Sequence, residues 1–490
     1  MEARLAFDAS ETHSPASGNP IMKTSAIFRR LASLKAKLIP PSTLPSARSA
    51  PAFTRPEPLE ERFVLSSFLV TNLANGGPGS LRNAITKANA TPAPDTIAFQ
   101  PGLAGTIVLT TGDLNITAPI AITGPGAATL KISGHDTSRI FDIDVGKTVS
   151  ISGLTLTHGL APDFENGGGI RNRGIITLTG VTIDSCAVSR TGAHGGAIDN
   201  DGTTSRLTLI SSKILNNHSD EGGGIFNGLG AIASIVKTTV SNNSGGNDSS
   251  GAGIRNDGTM SIRLSTISGN IGTGAFFFGG GIRNDGNLTV LSSTISGNLT
   301  QGQGGGIRSA GTLILIDTTV TGNIALGGFD GTGGILINGG TATIANSTIT
   351  KNFDAAGTAT SAGGLALTAG TLTLHNSVIA DNFAIGATPP DIRAAVAVAA
   401  GNFIGIGTPD LTGITTGIDF NRIGTLATPL DPKLGPLQNN GGPTLTRLPL
   451  PGSPLINAGV NSSIPTALLT DQRGLPRIHG GRVDIGATEY

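Results

Sequence analysis

The 490-residue chain has no tryptophan, one tyrosine and one cysteine. Aromatic residues make up only 4% of it, too few to fill the wide interior of an ordinary globular enzyme of this length. The lone Cys186 excludes an intrachain disulfide, so packing and hydrogen bonds must hold the fold. No apolar run reaches the roughly 18 residues of a membrane-spanning helix, and no transmembrane segment is expected. Charge of one sign is missing too. The 32 basic and 32 acidic side chains cancel, so no field draws the chain to nucleic acid or to an anionic membrane. The N-terminus carries Lys23, Arg29, Arg30, Lys35 and Lys37 but no apolar leader core. Residues 40–58, rich in Pro, Ser and Ala, are expected to be disordered.

What is abundant is glycine, at 73 residues, and it is periodic. GGGI at 167–170 is followed by GGAI, GGGI, GAGI, GGGI, GGGI, GGI and GGL. The closing residues are Ile170, Ile198, Ile225, Ile254, Ile282, Ile307, Ile335 and Leu365, with gaps of 28, 27, 29, 28, 25, 28 and 30. A second signature keeps step: Ile or Val three residues before Asn217, Asn243, Asn270, Asn298, Asn323, Asn352 and Asn382, with Cys186 in the matching place of the first coil. Between them lies period-2 alternation such as NLTVLSSTIS at 287–296, which means strands. One coil cannot bury its inward face alone; stacked coils can. The fold expected is therefore all-β, a right-handed parallel β-helix of about 28-residue coils.

Glycine at a fixed corner supplies positive φ in every coil, and the asparagines form a side-chain ladder along the stack. Ser80 as N-cap, with Leu81, Ala84, Ile85 and Ala88 on one face, predicts a short helix over the open N-terminal end. Four regions are expected: a leader and disordered segment at 1–66, an N-terminal cap at 67–105, the β-helix at 106–400 and an irregular C-terminal cap at 401–490. Loop length varies mainly between each Asn and the next turn, which marks that face as the one for binding.

FLVTNLANGGPGSLRNAITKANATPAPDTIAF (68–99) resembles the start of bacterial surface β-helix proteins of the CSLREA type, although that hexapeptide is replaced by GPGSLRNAI. GGPTLTRLPLPGSPLINAG (441–459), DQRGLPR (471–477) and VDIGATE (483–489) resemble the choice-of-anchor Q region that closes such proteins. The coils are similar to polymorphic outer-membrane protein repeats, and LEERFVLS (59–66) resembles the end of an export leader. The resemblance implies an exported or cell-surface protein and no particular reaction.

Candidate chemistry lies in two places. Asp257 and Asp285, one coil apart beside Arg255 and Arg283, could serve as a retaining glycosidase pair. Asp-Gly turns at strand ends explain the same residues without catalysis. His194, His218, Asp220, Glu221 and Asp248 fall in three consecutive loops and could hold a metal or do acid–base work, against a bland reading as solvated loop tips. Phe276, Phe277 and Phe278 are the one aromatic run, read first as packing. The reading favoured is a non-catalytic, adhesin-like scaffold that meets polysaccharide or another cell surface through loops on one face. The alternative is a polysaccharide lyase or glycoside hydrolase. No cofactor is expected.

Overall fold

The computed structural model describes residues 65–490, except 247–249, 275–277, 328–330, 358–361, 387–389, 409 and 467. Nearly all of the expected leader thus lies outside the described residues. The chain is a parallel β-solenoid of about 12 turns with coils of about 27 residues and almost no helix. Its strands build sheets of 22, 13 and 6 strands among the described residues.

One coil explains the rest. Ile282–Asn284, Asn287–Leu291, Thr294–Ser296 and Leu299–Thr300 are its strands. Each pairs in parallel with its counterpart 28 residues earlier, Ile282 on Ile254 and Ile295 on Ile267. Ile282, Leu288, Val290 and Ile295 point inward and are buried with their counterparts from every coil, each contributing about 1.5–3 kcal/mol. The three-glycine turn enters the coil with Gly279 at φ 74°. A Cβ on Gly280 or Gly281 would lie 2.6 Å from the carbonyl oxygens of Leu299 and Gly306. Positive φ is not used in every coil, however. Gly167, Gly195, Gly222, Gly251, Gly279 and Gly304 have it, whereas Thr332 and Ala362 hold that place in the last two. There the next strands lengthen into Ile335–Ala345 and Leu365–His375.

Two ladders run inside the stack. In the first, Asn298 Oδ1 accepts from Asn270 N and Nδ2 at 3.0 and 2.8 Å. Asn298 Nδ2 donates to Ile267 O at 3.0 Å and to Asn323 Oδ1 at 2.9 Å. The pattern repeats from Asn217 through Asn382, and Asn217 accepts from Cys186 N in turn. Asp391 ends it: Oδ1 accepts from Asn382 N and Nδ2, and Oδ2 accepts from Ile406 N. Burial pushes the Asp391 carboxyl up to about 7 against those bonds. The second ladder joins Asn172, Asn200, Asn227, Asn256, Asn284 and Ser309 through amide bonds of 2.6–3.0 Å.

The helix Leu81–Asn89 is capped by Ser80 Oγ, which accepts from Asn83 N. Its Leu81, Ala84, Ile85 and Ala88 join the core at the first coils. At the other end, strands continue to Arg422–Ile423. The segment after about residue 430 turns back along the flank of the stack. Gln472 bonds to Ser293 O and to the hydroxyl groups of Thr294 and Thr319. Arg477 meets Asp317 at 3.1 Å, and Ala487 N donates to Thr348 Oγ1. The segment after about residue 430 therefore covers a side of the solenoid.

Candidate functional site

The three-residue strands after each turn bury their first and third residues and direct the middle one outward. Parallel register aligns the middle residues in a column: Asp142, Arg171, Asp199, Phe226, Arg255, Arg283 and Arg308. Arg173, Asp201, Asp257 and Asp285 lie two residues on.

Arg255 Nε donates to both carboxylate oxygens of Asp257 at 3.1 Å. Arg283 and Arg308 each reach Asp285 at 2.6 Å. The candidate carboxylates do lie on neighbouring coils, but both are engaged by guanidinium groups. Phe278 lies beneath Arg283 and Arg308, 5.8 and 5.2 Å from ring centre to guanidinium carbon; Phe276 and Phe277 lie outside the described residues.

The loop cluster divides. His194 Nε2 pairs with Glu221 at 3.0 Å, Glu221 also pairs with Arg255, and the His194 ring stacks on Phe226 at 4.1 Å. Burial raises the Glu221 carboxyl, but the bonds from His194 and the charge of Arg255 outweigh it and hold it below its ordinary value. His218 instead meets Ser244 Oγ at 2.9 Å, and Asp220 accepts from Gly192 N. Asp248 lies outside the described residues. Among the described residues no group of three or more His, Cys, Asp or Glu is placed to hold a metal.

A site the sequence reading passed over lies two coils nearer the N-terminus. A cavity of about 420 Å³ is lined by Val145, Phe164, Glu165, Arg171, Arg173, Asp199, Asp201 and Thr203, among others. Arg171 is spoken for: Nε and Nη2 reach Asp142 at 2.9 and 2.6 Å, and Nη1 reaches Glu165 at 2.9 Å. Arg173 Nη2 pairs with Asp144 at 3.2 Å, but its buried Nε has no partner. Asp199 is 3% exposed, and its Oδ1 has no hydrogen-bond partner. Burial, then the nearby Asp201 charge, raise its carboxyl to about 7, opposed more weakly by His194, Arg139 and Arg171. Phe164, at the rim, is 83% exposed with φ 65°. The one signal in the sequence was an acid at 199, where five coils carry Arg or Phe.

No family profile matches the chain, and no curated protein matches it. Among solved structures it is similar to the mannuronan C-5 epimerase AlgE6 A-module of Azotobacter vinelandii. Identity is 14% over 71% of this chain and 96% of that one, with a TM-score of 0.40. Pectate lyase Pel9A is 14% identical over 87% and 97% of the two chains, TM-score 0.39. ORF18 of Geobacillus virus E2 is 12% identical over 66% of this chain, which spans 62% of that protein's length, TM-score 0.35.

Proposed function

We propose that this chain is a non-catalytic, exported β-solenoid of the cell surface that holds polysaccharide or another cell's surface against the outer column of its three-residue strands. The observation that carries this reading is the mutual engagement of the column's charges: Asp257 and Asp285 are clamped by Arg255, Arg283 and Arg308. Such a face offers rigid ion pairs and rings for contact, with these carboxylates already committed to partners. The likeness of 68–99 and 441–489 to surface β-helix proteins of the CSLREA and choice-of-anchor Q type supports the exported placement, and surface shaving of intact cells by protease tests it.

The second reading, a polysaccharide lyase or glycoside hydrolase, is favoured by the placement of Asp257 and Asp285 on neighbouring coils. One experiment separates the two: a glycan array run beside lyase and reducing-sugar assays. Binding without turnover supports the scaffold. Turnover that disappears in Asp257→Ala or Asp285→Ala overturns it.

A further inference from the structure

The side of the solenoid that the C-terminal segment covers is built from the strands Thr266–Ser268, Thr294–Ser296, Thr319–Thr321 and Thr348–Thr350. Parallel register aligns their first residues in a row of hydroxyl groups. Thr266 is partly exposed. Thr294, Thr319 and Thr348 are buried, because the segment after about residue 430 lies on them. Thr294 Oγ1 donates to Leu445 O, Thr319 Oγ1 donates to Gln472 Oε1, and Thr348 Oγ1 accepts from Ala487 N.

What fastens the segment is a group of charges shut from water. Asp317 of the stack and Asp471, Asp484 and Glu489 of the segment are each at most 2% exposed. Arg477, equally buried, and Arg473, whose side chain is 9% exposed, stand among them. Arg477 reaches Asp317 at 3.1 Å and Glu489 at 3.5 Å, and Arg473 reaches Asp471 at 2.7 Å. The backbone N–H groups of Asp484, Glu489 and Tyr490 donate to the carboxyls of Glu489, Asp471 and Asp484 respectively. Other guanidinium groups of the segment turn elsewhere, Arg447 to Thr321 Oγ1 and Arg482 to Gly459 O. The exposed His479 lies near Asp484.

Four carboxyls against two guanidinium groups leave two negative charges without a counter-charge, at a high cost away from water. The group avoids that cost by keeping protons. Burial raises Glu489 to about 8, Asp317 well above its ordinary range and Asp484 in the same direction, against the pull of Arg477. Docking therefore takes up protons. Carboxyls raised in the docked state contribute stability that is complete below about pH 4 and is lost as pH rises through about 8.

We propose that the C-terminal segment is a strap released by rising pH: protons shared among Asp317, Asp484 and Glu489 hold it on the flank, and their loss frees it and uncovers Thr294, Thr319 and Thr348. The row then runs open from Thr266 to Thr348, a hydroxyl face four coils long. This stands apart from the polysaccharide reading and from the charged column.

The test is hydrogen exchange of the full chain at pH 6 and pH 9, each rate taken relative to an unstructured peptide at the same pH. Three amides report docking: Gln472 N donates to Ala487 O, Gly486 N to Asn376 O, and Ala487 N to Thr348 Oγ1. Between the two pH values their protection falls about tenfold or more beyond that of Ile254 N, which is bonded to Gly281 O within the stack. Glu489→Gln, which keeps an acceptor for Asp484 N, and Asp317→Asn each cut that extra fall by about threefold or more. His479→Gln leaves it in place. A fall at the three amides no larger than at Ile254 overturns the strap, and the parent chain alone decides this even where a variant fails to dock. An undiminished fall in both carboxyl variants, or its loss in His479→Gln, overturns the proposal as well.

Discussion

Asp199 and Asn298 show two ways in which a polar residue is carried inside a stack. Asn298 has every amide group answered by the coils on either side. Replacing it with leucine strands the donors of Asn270 and leaves Asn323 Oδ1 only the backbone N–H of residue 298, and should cost about 1–3 kcal/mol in chemical denaturation. Asn256→Leu in the second ladder should cost a similar amount. A loss within error at both sites would mean that the ladders add no stability. Asp199 is the opposite case. Its carboxyl is raised to about 7 in the folded chain, so the native state holds the proton more tightly than the unfolded one. The stabilisation this gives is complete below about pH 4 and is lost as pH rises toward 7. Asp199→Asn, which cannot ionise, should therefore gain on the parent as pH rises, by up to about 4 kcal/mol at pH 8. Thermal midpoints at pH 5 and pH 8 check this; a gap that does not widen would show that the Asp199 carboxyl is not penalised by burial.

At the scale of the coil, what could be read in advance was whatever repeats. The Gly turns and the Ile-x-x-Asn spacing recur at one place in each coil, so composition and period alone locate them. The second asparagine ladder recurs just as faithfully, as IRN, IDN, IFN, IRN and IRN, yet it stands beside the charged column, and the charges drew the functional reading. The Asp199 cavity was not legible, because its outer wall comes from Phe164 and Glu165 in a non-repeating loop. Cys186 shows how one coil tolerates a substitute. Its backbone N–H still donates to Asn217 Oδ1 at 2.9 Å, and its sulfur accepts from Gly159 N. Burial pushes its thiol up to about 12. A thiol reagent should leave the native chain unmodified and titrate one equivalent after denaturation; fast native labelling would show that the first coil opens.

For the whole molecule, the decisive contacts cross long stretches of chain. Gln472 reaches Ser293, 179 residues away, and Arg477 reaches Asp317 across 160. No local pattern could announce them. Burial pushes the Asp317 carboxyl well above the usual range against the pull of Arg477, so the pair is costly to break from one side. Arg477→Met should destabilise by about 3–5 kcal/mol and open the C-terminal segment to limited proteolysis. Asp317→Leu added to that variant should recover much of the loss. Equal proteolysis of parent and Arg477→Met would show that this pair does not hold the segment down.

The first ladder also has a direction. From Asn217 to Asn352 each amide nitrogen donates forward to the oxygen of the next coil, so an unfinished stack always presents a donor at its growing edge. A chain made from its N-terminus is extended in that sense, each new asparagine oxygen answering a donor already in place. Asp391 answers the last one with a carboxyl that has no amide donor to offer onward. The ladder's own place in the next coil falls on Gly407, so the column of amides ends there and is closed by an acid from the turn before Ile392.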